Sequence, residues 1–408
     1  MTNAGAITPY RRALIFLLKL VLILVGLLLA GLLALTFYLY LSSRQVVDLP
    51  APAGPYAVGR SSFDWVDNAR PDPLAPHSGT KRELMVWVWY PATKGSAPAA
   101  RYFPEPLLGA DRKLFLNGAI TRLLIHDPAL ARSHSLDQPP VTNGQARFPV
   151  ILFKPGFGAL TLNYSALAED LASRGYIVVG TDAPYSAGVV AFPDGRIITR
   201  SAAGSPSTSG PRQPFDRLVA IWVADSSFVL DKLKALDETP GNPLAGHLDL
   251  ASVGIVGHSF GGASAAQFCA LDTRCKAGVD LDGQLFGSFS ANPIRAPFMF
   301  LLTDHSGEPE QQHILSEIRQ VYDSLPPGRL AATVHGTRHF NVSDMAFLRS
   351  PVFLSRAIGA IGPLDRRRAL RITDDFIAAF FDTNLKKKDS KILQLSSSNY
   401  PEVQKLDF

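Results

Sequence analysis

Apolar residues recur along this chain in two rhythms. Short β-prone runs stand at 84–90, 149–153, 176–181, 253–256, 277–281, 297–303 and 330–334, and their length and two-sided apolar character mark them as buried strands. Between several of them the apolar positions fall on every third or fourth residue, at 164–173, 217–236, 263–271, 311–324 and 366–381, which predicts helices with one buried face. Strands alternating with helices predict an α/β fold, with a mostly parallel central sheet covered by helices on both faces.

One run breaks the rhythm. Residues 20–41 read LVLILVGLLLAGLLALTFYLYL without a single charge, long enough to cross a bilayer as a helix. A cleaved signal peptide has a shorter apolar core and a small-residue cleavage site behind it, so the run is expected to be an uncleaved transmembrane anchor. Arg11, Arg12 and Lys19 precede it and only Arg44 closely follows. The positive-inside tendency therefore puts residues 1–19 in the cytoplasm and the chain after about Ser42 outside it, periplasmic or extracellular. Phe37, Tyr38 and Tyr40 then fall at the far interface.

The stretch 42–80, rich in Pro, Ala, Gly and Asp, predicts an extended stalk. Residues 81–384 hold the α/β domain, and 385–408, with a Lys run and a Ser run, predict a loosely ordered tail. Two insertions lie outside the strand-helix rhythm, at 101–141 and at the Gly-, Ser- and Pro-rich 186–214. The second follows a strand that ends near the expected active edge, where a lid, a pocket wall and an ordinary surface loop are all compatible with its composition.

With 47% apolar and 18% charged residues, the chain can bury one large core. The net charge of +5 permits contact with anionic surfaces, yet Lys and Arg are scattered until 366–368 and 386–388, and no nucleic-acid motif accompanies them. Cys269 and Cys275 are close in an otherwise cysteine-free chain. They are able to pair in an oxidising compartment, or to remain buried thiols; neither has His neighbours at metal-site spacing.

The strongest chemical signal is Gly257-His258-Ser259-Phe260-Gly261-Gly262, which leads from the strand at 253–256 directly into the helix at 263–271. That is the context of a nucleophile elbow: small neighbours tolerate a strained turn that pushes the serine hydroxyl out at the strand's C-terminal edge. Ser259 is the expected nucleophile. A neutral hydroxyl needs a base, and the base needs an acid to orient it, in the chain order Ser, acid, His. Among His305, His313, His335 and His339, His313 falls in a helical pattern and His305 comes too early. His339, beyond the turn at Gly336-Thr337, is better placed than His335 at the end of the last strand. For the acid, Asp282 and Asp304 both follow strand ends, and spacing does not choose between them; Asp280 lies within its strand.

An oxyanion hole needs two converging backbone N–H groups. Phe260, after the nucleophile, supplies one, and Phe157 in the loop Lys154-Pro155-Gly156-Phe157-Gly158 is the expected second. Tyr185, Leu285 and Phe286 are the expected apolar walls for substrate. Neither metal nor organic cofactor is required by such a site.

In several motifs the chain resembles the plasma and intracellular type II platelet-activating-factor acetylhydrolases and their dienelactone-hydrolase-like bacterial relatives. The resemblance runs from about Leu84 to Asp344, through Trp87-Val-Trp-Tyr90-Pro91, Phe153-Lys-Pro-Gly-Phe-Gly158, Asp170-Leu-Ala-Ser-Arg-Gly-Tyr176, the elbow, Ala277-Gly-Val-Asp-Leu-Asp-Gly283 and Gly336-Thr-Arg-His-Phe-Asn-Val-Ser-Asp344. It implies an α/β-hydrolase fold, Ser259 as nucleophile, Asp282 as acid and His339 as base. It also implies hydrolysis of carboxylic esters, with a short-chain or oxidised phospholipid as one substrate class. The chain departs from the mammalian pattern at Lys154-Pro155, where Ser-His is usual, and at Gly283-Gln284, so acyl-chain preference does not transfer. Broad esterase, polyester hydrolase or amidase activity, or a tethered binding protein of the same fold, are the competing expectations.

Overall fold

The 15-residue stretch Ala57–Pro71 is polar enough to read as a stalk, yet it forms a long strand, β1, paired antiparallel with β2 (Lys81–Ala92). The expected stalk at 42–80 is therefore corrected: helix α1 (Pro9–Ser43) reaches into it as far as Ser43, Val47–Asp48 pairs in parallel with Ala131–Arg132, and β1 takes up residues 57–71. The pattern hid β1 because its strand neighbours sit near a sheet edge, where one polar face stays wet and period-two apolar alternation weakens.

The structure is a computed structural model that describes residues 9–408 except 96, 144–145, 208–209, 290, 307–310, 396–398 and 407. Further strands are β3 (Ser135–Asp137), β4 (Phe148–Lys154), β5 (Ile177–Asp182), β6 (Leu248–His258), β7 (Cys275–Leu281), β8 (Phe298–Thr303), β9 (Leu330–Val334) and β10 (Val403–Lys405). They form one sheet in the order β10-β9-β8-β7-β6-β4-β5-β2-β1-β3. From β9 through β5 every neighbour is parallel, whereas β2 against β5, β1 against β2, and β10 against β9 are antiparallel. The tail is thus corrected as well: β10 closes one edge of the sheet.

The helices are α1 (Pro9–Ser43), α2 (Leu107–Phe115), α3 (Ala119–Leu124), α4 (Ser165–Ser173), α5 (Gln213–Asp237), α6 (Phe260–Leu271), α7 (Gln311–Ser324), α8 (Met345–Leu348), α9 (Val352–Ala357) and α10 (Arg366–Leu385). Successive residues of β2 show why both faces are covered. Met85, Trp87 and Trp89 pack in one core with α4 and α10, while Leu84, Val86, Val88 and Tyr90 pack in a second core with α5, α6 and α7, because side chains on a strand alternate faces. This is an α/β fold of one large sheet between two helical layers.

In the second insertion, Val189–Ala191 and Ile197–Thr199 form a hairpin whose first strand is buried. Helix α1 is exposed along nearly its whole length and is long and apolar enough to cross a membrane. Its C-terminal part packs against α3.

Candidate active site

Ser259 follows β6 and precedes α6 with φ +57° and ψ −125°, a conformation that costs a non-glycine residue energy and persists only where its surroundings enforce it. The surroundings are close-packed backbone. A Cβ at Gly257 would lie 1.9 Å from the Gly261 carbonyl oxygen, and one at Gly261 would lie 2.2 Å from the Lys154 carbonyl oxygen. Only glycine at both positions lets the turn close. As the first residue of α6, Phe260 has an N–H without an intrahelical acceptor, at the positive end of the helix dipole.

The loop after β4 meets this turn. A Cβ at Gly156 would lie 3.4 Å from Ser259 Cβ, so Phe157 is one residue from direct contact with the serine. Gly156 N–H donates to Tyr164 Oη at 3.2 Å, and that hydroxyl lies 2.7 Å from His258 Nδ1. The His258 imidazole is buried, which pushes its pKa down to about 3, so it stays neutral and holds the loop to the elbow.

Asp282 follows β7, again at positive φ (+58°). Its carboxylate is buried and fully used: Oδ1 accepts from Thr303 N–H at 2.8 Å, and Oδ2 from Thr303 Oγ1 at 2.8 Å. Oδ2 also lies 2.6 Å from His339 Nδ1, and Oδ1 lies 2.7 Å from His305 Nε2. Burial opposes the charge, but these bonds from the two imidazoles overcome it and hold the carboxyl well below the usual carboxylate range. Asp304 instead bonds Gly336 N–H and lies 3.4 Å from His335 Nδ1. Asp280 is buried inside β7, where burial raises its pKa and Gly283 N–H donates to it.

Ser259, Asp282 and His339 line one cavity of about 200 Å³, together with Gln284, His305, Ile314 and Leu315. Sequence reasoning passed over His305, set aside because it came too early for a base; its position directly beyond the C-terminal end of β8 was the available signal. The expected substrate walls are only partly assembled. Tyr185 and Phe286 pack with Phe157 and Phe260 in an aromatic cluster around Phe215 and Trp222. Leu285 is corrected: it is buried in the core shared with α6 and α7, and its carbonyl accepts from Arg212. Cys269 and Cys275 are paired, with Cα atoms 5.1 Å apart, tying the end of α6 to the start of β7.

Residues 41–187 and 234–400 match the family described as platelet-activating factor acetylhydrolase, isoform II. The chain belongs to that family. Among curated members of this acetylhydrolase family, a probable 1-alkyl-2-acetylglycerophosphocholine esterase of Arthroderma benhamiae is 26% identical over 88% of the chain and 94% of its own length. The platelet-activating factor acetylhydrolase of Cavia porcellus is 24% identical over 85% of the chain and 80% of its own length. Among solved structures, a ferulic acid esterase from Streptomyces cinnamoneus superposes with a TM-score of 0.74 at 30% identity, covering 88% of this chain and 99% of that one. This acetylhydrolase-family chain is accordingly an α/β-hydrolase that acts on carboxylic esters.

Proposed function

We propose that the chain is a membrane-anchored serine esterase that cleaves short acyl esters, including those of phospholipids, through an acyl-enzyme on Ser259. The observation that carries this reading is the 2.6 Å bond between His339 Nδ1 and a buried Asp282 carboxylate at the cavity that Ser259 lines.

In this mechanism His339 takes the Ser259 proton as the hydroxyl oxygen attacks the ester carbonyl. The oxyanion is received by the N–H groups of Phe157 and Phe260, and Asp282 balances the imidazolium. His339 then protonates the departing alcohol. Water, deprotonated by the same imidazole, attacks the acyl carbon, and the acid leaves as Ser259 recovers its proton. No step calls on a cofactor.

The cavity, at about 200 Å³, is small beside the roughly 300–1,000 Å³ of pockets for drug-sized ligands, which favours a short acyl group. The anchor α1, with Arg11, Arg12 and Lys19 on its N-terminal side, supports a cytoplasmic N-terminus and an extracytoplasmic domain beside lipid substrate. The likeness to a ferulic acid esterase over nearly all of that chain favours a second reading, hydrolysis of aryl-acid esters in the same site.

The test is hydrolysis by the full chain in neutral detergent of p-nitrophenyl esters of increasing chain length, short-chain phosphatidylcholines and a hydroxycinnamate ester, beside Ser259→Ala. Turnover that falls with acyl length and vanishes in the variant supports the proposal. A folded protein that turns over none of them and takes no fluorophosphonate on Ser259 overturns it.

A further inference from the structure

Several arginines of this protein are each held between two carboxylates. Arg82 pairs with Asp72 and Asp225, Arg174 with Asp170 and Asp375, Arg196 with Glu83 and Asp194, and Arg274 with Asp231 and Asp272. Four others depart from this habit together. Arg349, Arg356, Arg366 and Arg367 line one cavity of about 680 Å³ at the foot of α1.

Among the described residues none of the four pairs with a carboxylate. Arg356 Nε donates to the Gly362 carbonyl at 3.2 Å, Arg366 to that of Ala346 at 2.9 Å, and Arg367 to that of Asp48 at 2.8 Å. Arg349 lies over the Phe340 ring, and its Nε is buried without a hydrogen-bond partner. Two carboxylates stand at the cavity, Asp48 and Asp365; Asp365 accepts from Arg368 N–H as the cap of α10, and the Asp48 carboxylate lies 3.9 Å from Arg132. The cavity keeps an excess of positive charge, and burying an unpaired guanidinium nitrogen is costly unless an acceptor arrives.

Its location says which acceptor. Tyr38 and Ser42 of α1 line the same cavity, and Ser42 Oγ lies 2.6 Å from Ser350 Oγ on its wall. At about 1.5 Å per residue the uncharged run 20–41 is ~33 Å long, close to the hydrocarbon thickness of a bilayer. The run therefore ends where headgroups begin, and Ser42 and the arginines stand at headgroup depth. Phe353 on the rim and Ile358 beyond it expose most of their apolar surface to the same region.

We infer that this cavity binds the phosphate of an anionic phospholipid headgroup in the leaflet that the folded domain faces. The inference rests on the anchored reading of α1 proposed above. The chemistry is that of any phosphate-bearing anion, since guanidinium forks match phosphate oxygens in paired hydrogen bonds; the depth at the end of the anchor commits it to a lipid. A headgroup held between α1 and α10 fixes the tilt of the domain on its anchor, and with it the height of the Ser259 cavity above the leaflet.

The experiment uses the full chain in nanodiscs of phosphatidylcholine containing a minority of phosphatidylglycerol. After release into neutral detergent, the lipids still bound are weighed by native mass spectrometry. The expected result is retention of phosphatidylglycerol about ten-fold above its share of the bilayer, undiminished by millimolar inorganic phosphate. That preference is lost in Arg349→Gln/Arg366→Gln and reduced in Arg356→Gln/Arg367→Gln, whose side chains are exposed and whose loss leaves folding intact. Cleavage of a soluble p-nitrophenyl ester reports that each variant is folded. Retention in bilayer proportion, or a preference that survives in both folded variants, overturns the inference. Displacement by inorganic phosphate also overturns it, in favour of a soluble anion. A chain that does not enter nanodiscs, seen by size-exclusion elution, overturns the anchored reading itself, whereas incorporation without lipid preference overturns this inference alone.

Discussion

His305 Nε2 lies 2.7 Å from Oδ1 of Asp282, whose other oxygen meets His339 Nδ1 at 2.6 Å. One buried carboxylate thus holds two imidazoles, and only one of them is needed as base. The other fixes the plane of the carboxylate and so the direction of the bond to His339. His305→Ala is expected to lower kcat by about ten- to hundred-fold through misalignment, with KM for a small ester little changed and fluorophosphonate labelling slowed but present. His339→Ala is expected to lower kcat by at least about 10⁴-fold, and His335→Ala to leave it near the parent value. Equal losses for His305→Ala and His339→Ala would show that His305 is more than a positioning residue.

Gly261→Ala is expected to destroy the elbow. Its Cβ would fall 2.2 Å from one carbonyl oxygen and 2.5 Å from the next, those of Lys154 and Pro155, so the loop carrying Phe157 has to move away from Ser259. Loss of measurable turnover, with a midpoint of urea unfolding lowered by the equivalent of about 2–4 kcal/mol, is the outcome to look for. An active, equally stable variant would show that the turn has slack the packing denies.

Lys154 is buried, donates to Thr181 Oγ1 at 2.7 Å and lies over the Trp222 ring. Burial pushes its pKa down to about 8, partly offset by Asp225 and reinforced by Arg82. The folded-state value lies below the unfolded one, so stability falls as pH drops from about 10.4 to about 8 and is flat below that. The whole penalty is present at pH 7. Lys154→Met is expected to raise stability there by about 1–3 kcal/mol, and thermal melting at pH 7 and pH 10 checks it, the gain being smaller at the higher pH.

His258 gives the opposite end of the pH range its slope. Burial holds the folded imidazole neutral down to about pH 3, while the unfolded one takes up a proton near pH 6.5. Below about 6.5 the unfolded state binds more protons, so stability falls steadily with pH toward 3. Between pH 6.5 and 4.5 this single group costs about 2–3 kcal/mol. His258→Asn, which does not titrate, is expected to flatten the fall in melting temperature over that interval; an unchanged slope would assign acid lability elsewhere.

How much of this was legible in the sequence depends on how local the cause is. The strands at 330–334 and 277–281 and the helix at 311–324 formed within a residue or two of their patterns, because a run of buried apolar residues fixes its own period. The elbow was legible because its small residues and serine stand together within six positions between a strand pattern and a helix pattern, and the clash that demands glycine at 257 comes from the carbonyl of Gly261 in the same turn. β1 and β10 were not: both lie at or near a sheet edge, and their partners are supplied by the rest of the fold. Leu285 was read as a cavity wall from its neighbours, and tertiary packing turned it into the core.

The sequence by itself determined the α/β rhythm, the apolar helix α1, and Ser259 on a glycine-flanked turn, since each follows from residue type and spacing over a few turns of chain. Only the tertiary structure chose Asp282 over Asp304 on geometric grounds, brought His305 to the same carboxylate, and gathered Arg349, Arg356, Arg366 and Arg367 with Ser42 at the foot of α1. Hydrogen bonds and desolvation act over a few ångströms, and residues that distance apart in space stand tens to hundreds of positions apart in the chain, where no local pattern records them.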